Sequence, residues 1–246
     1  MADSVALVRC EGDPEAALRE AIELIGSLRI SKSQLVIKPN ICAGTDKTGV
    51  ANTKADIVES LITLILEENE HLAIRIVESD SMSKFADEAF REFGYIDLVE
   101  RLNGLGLDVS LINLSQSTLK KVRLDGLYFH DPELPAVLSE QMSFALVAVS
   151  KTHGLTMVTG VLKNCFGLLP RKDKAFYHPH VNEVVVDMNR VAEPDLSCRC
   201  QSGIGGGNNG KAKTHQCAHS REKACLGGRH YGQSYGVPAR EDQASR

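Results

Sequence analysis

Three features that mark common protein classes are missing from this sequence of 246 residues. No apolar run approaches the roughly 18–20 residues that a membrane-spanning helix needs, so no membrane association is expected. The N-terminal segment "MADSVALVRCEGDPE" has neither a cationic start nor a long apolar core, which argues against a signal peptide and favours a cytoplasmic location. No C-x-x-C-x-x-C run, a spacing that iron–sulfur clusters use, occurs anywhere in the chain.

The seven cysteines form neither a disulfide framework nor a zinc pattern. Four lie in the last 49 residues, without the C-x₂₋₄-C spacing typical of zinc modules. Cys10, Cys42 and Cys165 are scattered along the rest of the chain and are expected to be reduced thiols. The stretch "GIGGGNNGKAKTHQCAH" (203–219) resembles a phosphate loop. It has Ala212 at the Ser/Thr position and no amphipathic helix after it, so neither a phosphate loop nor a dedicated zinc site is predicted.

The composition is that of a globular protein, with 43% hydrophobic and 24% charged residues, but it changes after residue 197. Residues 198–246 hold nine of the 20 glycines and carry a net charge of +5, whereas residues 1–197 carry −9. A Gly-rich segment with few apolar residues buries too little surface to offset its chain entropy. We predict an α/β domain over 1–197 and a disordered or irregular basic tail over 198–246. The acidic body argues against nucleic-acid binding.

Apolar strands alternate with amphipathic helices along residues 1–197. This order predicts an α/β fold with a mainly parallel sheet and helices on both faces. The predicted strands are 5–10, 34–41, 72–81, 107–114 and 144–153, with a β-rich stretch at 120–130. The predicted helices are 13–28, 54–70, 85–95 and 95–106.

Polar residues follow several of these strands. Ligands of open α/β sheets bind beyond the carboxyl ends of the strands, so these residues are candidates for a binding site. They are Lys38, Asn40, Glu78, Asp80 and the polar residues of segment 150–174.

Segment 150–174 carries the strongest signal. Lys151, Thr159 and Asn164 join the other candidates as ligand-binding residues, because ammonium groups, hydroxyls and backbone N–H groups suit a phosphate or a carboxylate. His153, His178 and Lys163 are the catalytic candidates, since imidazole transfers protons near neutral pH. The alternative is a solvated strand-to-helix connection whose lysines face water.

Other residues keep structural interpretations. His178 and His180 alternate as on a strand and are interpreted as surface or hydrogen-bonding residues rather than a metal pair. Asp187 is interpreted as a helix charge on the solvent face. Glu78 and Asp80 either bind a ligand or cap the helix that begins near Lys84.

These motifs, in this order, resemble the domain of unknown function 362 family. The matching features are "VIKPNIC" (36–42), "VESDS" (77–81), "FGY" (93–95), "SKTHGLTMVTGVLKNCFGLLP" (150–170), His178, Asp187 and "PDL" (194–196). The resemblance covers residues 5–197 and implies an α/β fold without implying a particular reaction. Some relatives carry ferredoxin-type cysteine runs, which implies an iron–sulfur redox partner for a chain that lacks such a run. A more distant similarity is to the nickel-dependent lactate racemases, from which no residue role is carried over.

The tail departs from the family pattern after residue 197. A shift of the reading frame by one base permits the family's "V-D-A" at Cys198–Gln201 and its closing segment over 227–246. We therefore hypothesise a frameshift near Ser197, which leaves the α/β domain truncated at its C-terminal end and the tail out of frame. Resequencing the coding DNA decides this hypothesis.

The sequence thus favours an enzyme, or enzyme-like domain, that binds a small anionic ligand at the strand ends. The alternative is an accessory protein without its own cluster motif that cooperates with an iron–sulfur redox partner. No particular metal or cofactor is indicated by the residues.

Overall fold

The computed structural model describes residues 5–10, 12–26, 28, 30–41, 51–139, 142–201 and 222–228. The α-helices of this part are α1 (Pro14–Ile25), α2 (Ala55–Glu68), α3 (Ala86–Glu92), α4 (Tyr95–Gly104), α5 (Val161–Asn164) and α6 (Val181–Ala192). The 3₁₀ helices are Ala136–Leu138, Cys165–Leu168 and Lys174–His180. The strands are β1 (Val5–Cys10), β2 (Gln34–Pro39), β3 (Ala73–Glu78), β4 (Val109–Asn113), β5 (Leu119–Lys121), β6 (Glu133–Pro135), β7 (Ser143–Val149), β8 (Thr152–His153), β9 (Met157–Val158), β10 (Leu196–Gln201) and β11 (Glu222–Gly228).

The main sheet of the described residues has seven strands in the order β1-β11-β10-β7-β2-β3-β4. The five strands from β10 to β4 are parallel, and β11 is antiparallel to both of its neighbours. Two apolar clusters cover the opposite faces. Ile37 faces the cluster formed with α1 to α4, and the adjacent Val36 faces the cluster formed with α5 and α6. The predicted α/β fold, with a mainly parallel sheet between two layers of helices, is confirmed.

Helix α1 shows how local sequence sets an element's limits. Asp13 accepts a hydrogen bond from the N–H of Ala16 at 3.1 Å, and Pro14 occupies the first helical position. Leu18 and Ile22 recur on one face of the helix and are buried against the sheet. Gly26, at φ 108°, ends the helix in a conformation that disfavours other residues.

Two local predictions are corrected by the structure. The β-rich stretch 120–130 forms only the short strand β5 and an isolated bridge between Asp125 and His130. His178 and His180 lie on the 3₁₀ helix Lys174–His180 rather than on a strand. Two histidines on either side of one proline form too short a pattern to separate a strand, with a period of two, from a 3₁₀ helix, with a period of three.

The compositional change at residue 197 lies inside strand β10, which runs parallel to β7. Strand β11 also falls in the predicted tail, and its backbone pairs with β1 and β10. The rest of the tail, including the stretch 203–219 that resembles a phosphate loop, lies outside the described residues. The frameshift remains a hypothesis. None of the described helices has the length and apolarity that crossing a membrane requires.

Candidate functional site

A cavity of about 310 Å³ opens at the carboxyl ends of β2, β3 and β7. Most of the residues proposed from sequence line it, in agreement with the rule for open α/β sheets. The predicted residues along its wall are Lys38, Asn40, Glu78, His153, Thr159, Lys163, Asn164 and His178. Phe166, Gly167, Lys172 and Lys174 are among the other lining residues.

Lys38 and Glu78 form a buried ion pair at the floor of this cavity. The Nζ of Lys38 lies 2.6 Å from Oε2 of Glu78, with side-chain exposures of 1% and 5%. The same ammonium donates to the carbonyl of Pro39 at 2.6 Å. Glu78 also accepts the backbone N–H groups of Ile41, at 3.1 Å, and Ser79, at 2.9 Å. The pair is therefore internally neutral, and its hydrogen bonds offset part of the cost of removing two charges from water.

The 3₁₀ helix Cys165–Leu168 closes over the pair. A Cβ added at Gly167 would lie 3.0 Å from Cε and 3.1 Å from Nζ of Lys38, so any larger residue crowds the ammonium. Ser79 Oγ donates to the carbonyl of Gly167 at 2.6 Å, and Asn164 Nδ2 donates to the carbonyl of Lys38 at 2.9 Å. Through these hydrogen bonds, Asn164 and Gly167 attach the segment 162–167 to the ends of β2 and β3.

Thr53, which the sequence did not single out, ties two strand ends together. Its hydroxyl donates to the carbonyl of Val147 on β7 at 2.8 Å and accepts the N–H of Asn40 at 2.9 Å. The N–H of Thr53 donates to the carbonyl of Asn40 at 2.9 Å, and the Tyr95 hydroxyl donates to the carbonyl of Thr53 at 2.8 Å. A threonine shortly before a helix is typical of a helix cap. The sequence therefore gives no sign that Thr53 connects the ends of β2 and β7.

His153 lies in the hairpin formed by β8 and β9. Its Nδ1 is 3.2 Å from the backbone N of Leu155, an arrangement in which Nδ1 accepts and the neutral ring carries its proton on Nε2. Burial lowers the pKa of His153 below its ordinary value, and the nearby charge of Lys163 lowers it further. Both effects favour the neutral ring of His153, a residue that lines the cavity.

Lys163 and His178 both contact the ring of Phe166. The Lys163 Nζ lies 4.2 Å from the ring centroid, a cation–π distance, and the His178 ring stacks at 6.4 Å between centroids. The structure brings these two catalytic candidates together although they are fifteen positions apart in sequence. His180 instead contacts Tyr128, with ring centroids 5.2 Å apart.

Lys172 and Lys174, which belong to the candidate segment 150–174, also line the cavity. The Lys172 Nζ lies 3.8 Å from the centroid of the Phe85 ring, and Lys174 donates to the carbonyl of Asp80. Burial lowers the pKa of Lys174 to about 8. The basic run "RKDK" after "LLP" was the available sequence signal, but such runs are usually solvated. Lys163, Lys172 and Lys174 surround a cavity whose lining carboxylate, Glu78, already has a cationic partner.

Two predicted ligand-binding residues are directed elsewhere. Asp80 accepts the N–H of Ala86 at 2.8 Å, at the start of α3, and the amide of Asn113 at 3.1 Å. The sequence left open whether Glu78 and Asp80 bind a ligand or cap a helix. For Asp80, the structure shows a hydrogen bond at the start of α3, as expected of a helix cap. Lys151 is buried and its Nζ donates to the carbonyl of Ala51 at 2.7 Å, away from the cavity wall.

Asp187 is not on the solvent face, so that interpretation was wrong. Its carboxylate is fully buried and accepts the N–H groups of Leu127 (2.8 Å), Tyr128 (2.8 Å) and Phe129 (2.9 Å). Burial alone would raise the pKa of Asp187, but these three hydrogen bonds hold it below its ordinary value. The carboxylate fixes an aromatic turn whose rings pack on Tyr177, which in turn contacts Phe166 in the cavity wall.

Across the part of the chain that the structure describes, no group of three or more His, Cys, Asp or Glu side chains is arranged to hold a metal ion. Cys165 is buried, and burial raises the pKa of its thiol to about 12, so it stays protonated. These residues do not test the predicted iron–sulfur partner, which stays a prediction.

Comparison with known proteins gives a family and a fold. The family model described as "Domain of unknown function (DUF362)" matches residues 35–218. No curated protein matches the chain. Among solved structures, the lactate racemase apoprotein from Thermoanaerobacterium thermosaccharolyticum is similar in fold, with a TM-score of 0.52 and 13% identity over 79% of this chain and 50% of that one. The chain thus spans about half the length of that structure, and the likeness extends to the fold alone.

Proposed function

The chain belongs to the domain of unknown function 362 family, and we propose that its α/β domain binds a small anionic ligand, a carboxylate or a phosphate, in the cavity at the strand ends. The observation that carries the proposal is the excess of cations around this cavity. Three lysine side chains, Lys163, Lys172 and Lys174, line it in addition to the self-neutralised pair of Lys38 and Glu78. Lysine side chains gathered along a cavity wall attract an anion.

The cavity residues divide into contacts and supports. Lys163 and Lys174 offer ammonium groups, and the backbone around Gly160 at the start of α5 adds polar groups at the same wall. Lys38 and Glu78 hold the ends of β2 and β3 in register beneath them. Asn164 and Thr159 keep the segment after β7 in place through hydrogen bonds to the backbone of Lys38 and Val149.

His153 and His178 supply the proton-transfer groups of an enzymatic version of this function. The neutral ring of His153 donates a hydrogen bond from Nε2 to a bound oxyanion, a role that its Nδ1 contact with Leu155 preorganises. His178, beside Phe166, lies on the wall together with Lys163. The racemase that shares this fold is named for lactate, which makes a 2-hydroxy carboxylate a suitable probe of the cavity.

Isothermal calorimetry with inorganic phosphate and with lactate tests the proposal. We expect saturable binding of at least one of the two anions. Lys163→Ala should weaken it by about tenfold or more, as expected when a hydrogen bond to a charged group is lost. Lys151→Ala is the matched control, because the Lys151 ammonium is bonded to Ala51 outside the cavity. Absence of binding for both anions, or equal losses in the two variants, would contradict the proposed site.

A further inference from the structure

The Lys174 nitrogen contacts a backbone carbonyl, whereas the Lys38 nitrogen contacts a carboxylate and those of Lys163 and Lys172 lie over aromatic rings. The Lys38 ammonium lies 2.6 Å from the carboxylate of Glu78. The Lys174 nitrogen donates to the carbonyl of Asp80, a neutral acceptor, and among the described residues no carboxylate forms an ion pair with it. Lys174 also opens the 3₁₀ helix Lys174–His180, where Asp173 Oδ1 accepts the N–H of Ala175 at 3.2 Å and fixes the turn.

We infer that Lys174 is an amine nucleophile, which forms a Schiff base with a 2-oxo carboxylate bound in the cavity. The inference rests on the proposed anion site and names the class of ligand that this site takes. Lys163 and Lys174 line the same cavity, so a 2-oxo carboxylate placed there would offer its carboxylate to the Lys163 side chain and its carbonyl carbon to the Lys174 amine.

The charges around Lys174 agree with this role. Burial is the main cause that lowers its pKa, to about 8. The ammonium groups of Lys38 and Lys163 lower the pKa as well, while the carboxylates of Glu78 and Asp80 raise it and only partly cancel the other effects. A substantial fraction of Lys174 is therefore unprotonated at pH 8, and only the unprotonated amine attacks a carbonyl.

The proposed step is a condensation without change of oxidation state. The Lys174 nitrogen lone pair forms a C–N bond to the carbonyl carbon, and the C=O π electrons move to oxygen. The nitrogen loses its two protons to that oxygen by way of cavity groups, water leaves, and a C=N bond remains. His153 and His178 line the same cavity and are suitable relays for these protons.

Reductive trapping tests the inference on the full chain. The protein is incubated with pyruvate as the probe and with sodium cyanoborohydride, which reduces an imine to a stable secondary amine, and the adduct is located by peptide mass mapping. We expect one adduct per chain, on Lys174. It should be lost in Lys174→Arg, which keeps a positive charge without a nucleophilic amine, and retained in Lys172→Arg, the matched change at the neighbouring cavity lysine. Trapping in the unchanged chain should become faster as the pH rises through about 8.

The outcomes separate this inference from the proposed function. If phosphate or lactate binds by calorimetry but pyruvate leaves no adduct on Lys174, the Schiff base is wrong and the anion site stands. An adduct spread over several lysines, and unaffected by Lys174→Arg, likewise overturns the inference. If neither phosphate nor lactate binds, the proposed function fails, whatever the trapping shows.

Discussion

The Nζ of Lys38 and the Oε2 of Glu78 are 2.6 Å apart, beneath the candidate binding cavity and almost out of contact with solvent. The two residues end neighbouring parallel strands, and 40 positions of sequence separate them. Each charge would be costly at this depth without the other. The pair therefore stabilises the carboxyl ends of β2 and β3 and also forms the floor of the cavity.

Lys38→Met should destabilise the fold strongly. It leaves the Glu78 carboxylate buried with only backbone partners, and breaking a buried pair in this way costs about 3–5 kcal/mol in the free energy of unfolding. Urea denaturation measures the loss. The double variant Lys38→Met/Glu78→Gln should recover part of it, because no uncompensated charge remains. Arg19→Ala breaks the exposed pair with Glu67 and should change stability far less, so similar losses in the two single variants would contradict the argument.

Gly167→Ala tests how tightly the 3₁₀ helix Cys165–Leu168 packs on the pair. The added methyl would meet Lys38 Cε at 3.0 Å and Glu78 Oε1 at 3.4 Å, so the ammonium or the helix must shift. We expect a loss of about 1–3 kcal/mol in unfolding free energy, typical of overpacking, together with weaker phosphate binding. Gly104→Ala, with open space around the new methyl, is the control and should not lower stability. Unchanged stability and affinity in Gly167→Ala would show that the cavity floor is loose.

The pKa of His153 should lie below 6.5, and its neutral ring should be the Nε2–H tautomer. Nitrogen-detected NMR titration of the imidazole reports both properties. Lys163→Met should move the pKa of His153 part of the way back to its ordinary value. The remaining shift is expected because burial is the larger cause of the lowered pKa. In the unfolded chain His153 binds its proton at a higher pH than in the folded one, so its contribution to stability is present above 6.5 and is lost as the pH falls. A titration midpoint above 6.5 would refute the assignment.

Asp187→Asn should destabilise the protein although the shape hardly changes. The amide offers one acceptor oxygen where the carboxylate offers two, so part-buried N–H groups of residues 127–129 lose a partner, at a cost of about 1–3 kcal/mol. Thermal unfolding measures the difference. Gly126→Ala should be at least as damaging, because the new methyl would lie 2.4 Å from the Asp187 carboxylate. Tolerance of both changes would mean that the turn can relax away from Asp187.

Which elements form could largely be predicted from the chain alone. The strands 5–10 and 34–39 and the helix that begins after Asp13 follow from apolar periodicity and from capping residues, which act within a few positions. The place of the site was predictable for the same reason: polar residues directly after buried strands come together when those strands are parallel. His153, Lys163 and His178 were chosen on that basis, and the structure places all three at one cavity.

The partner of each polar side chain was not predictable, since it depends on packing between distant segments. By sequence alone Asp80 and Glu78 are equivalent acids after β3, yet one contacts the start of α3 and the other contacts Lys38. Lys151 and Lys174 are both lysines of the segment after β7, but only Lys174 lines the cavity, while Lys151 reaches Ala51. In sequence Asp187 has the pattern of a surface charge on a helix. Only the structure shows that the turn at 127–129 packs on it and buries it.

Sequence by itself therefore determined the order of strands and helices over residues 5–114, the cap at Asp13 and the strand ends at which polar residues gather, because these depend on short-range preferences and on the period of burial. Only the tertiary structure decided which charges neutralise one another and which remain directed at the cavity. That outcome depends on distances between residues tens of positions apart, and on the burial that makes a buried pair such as Lys38 and Glu78 necessary.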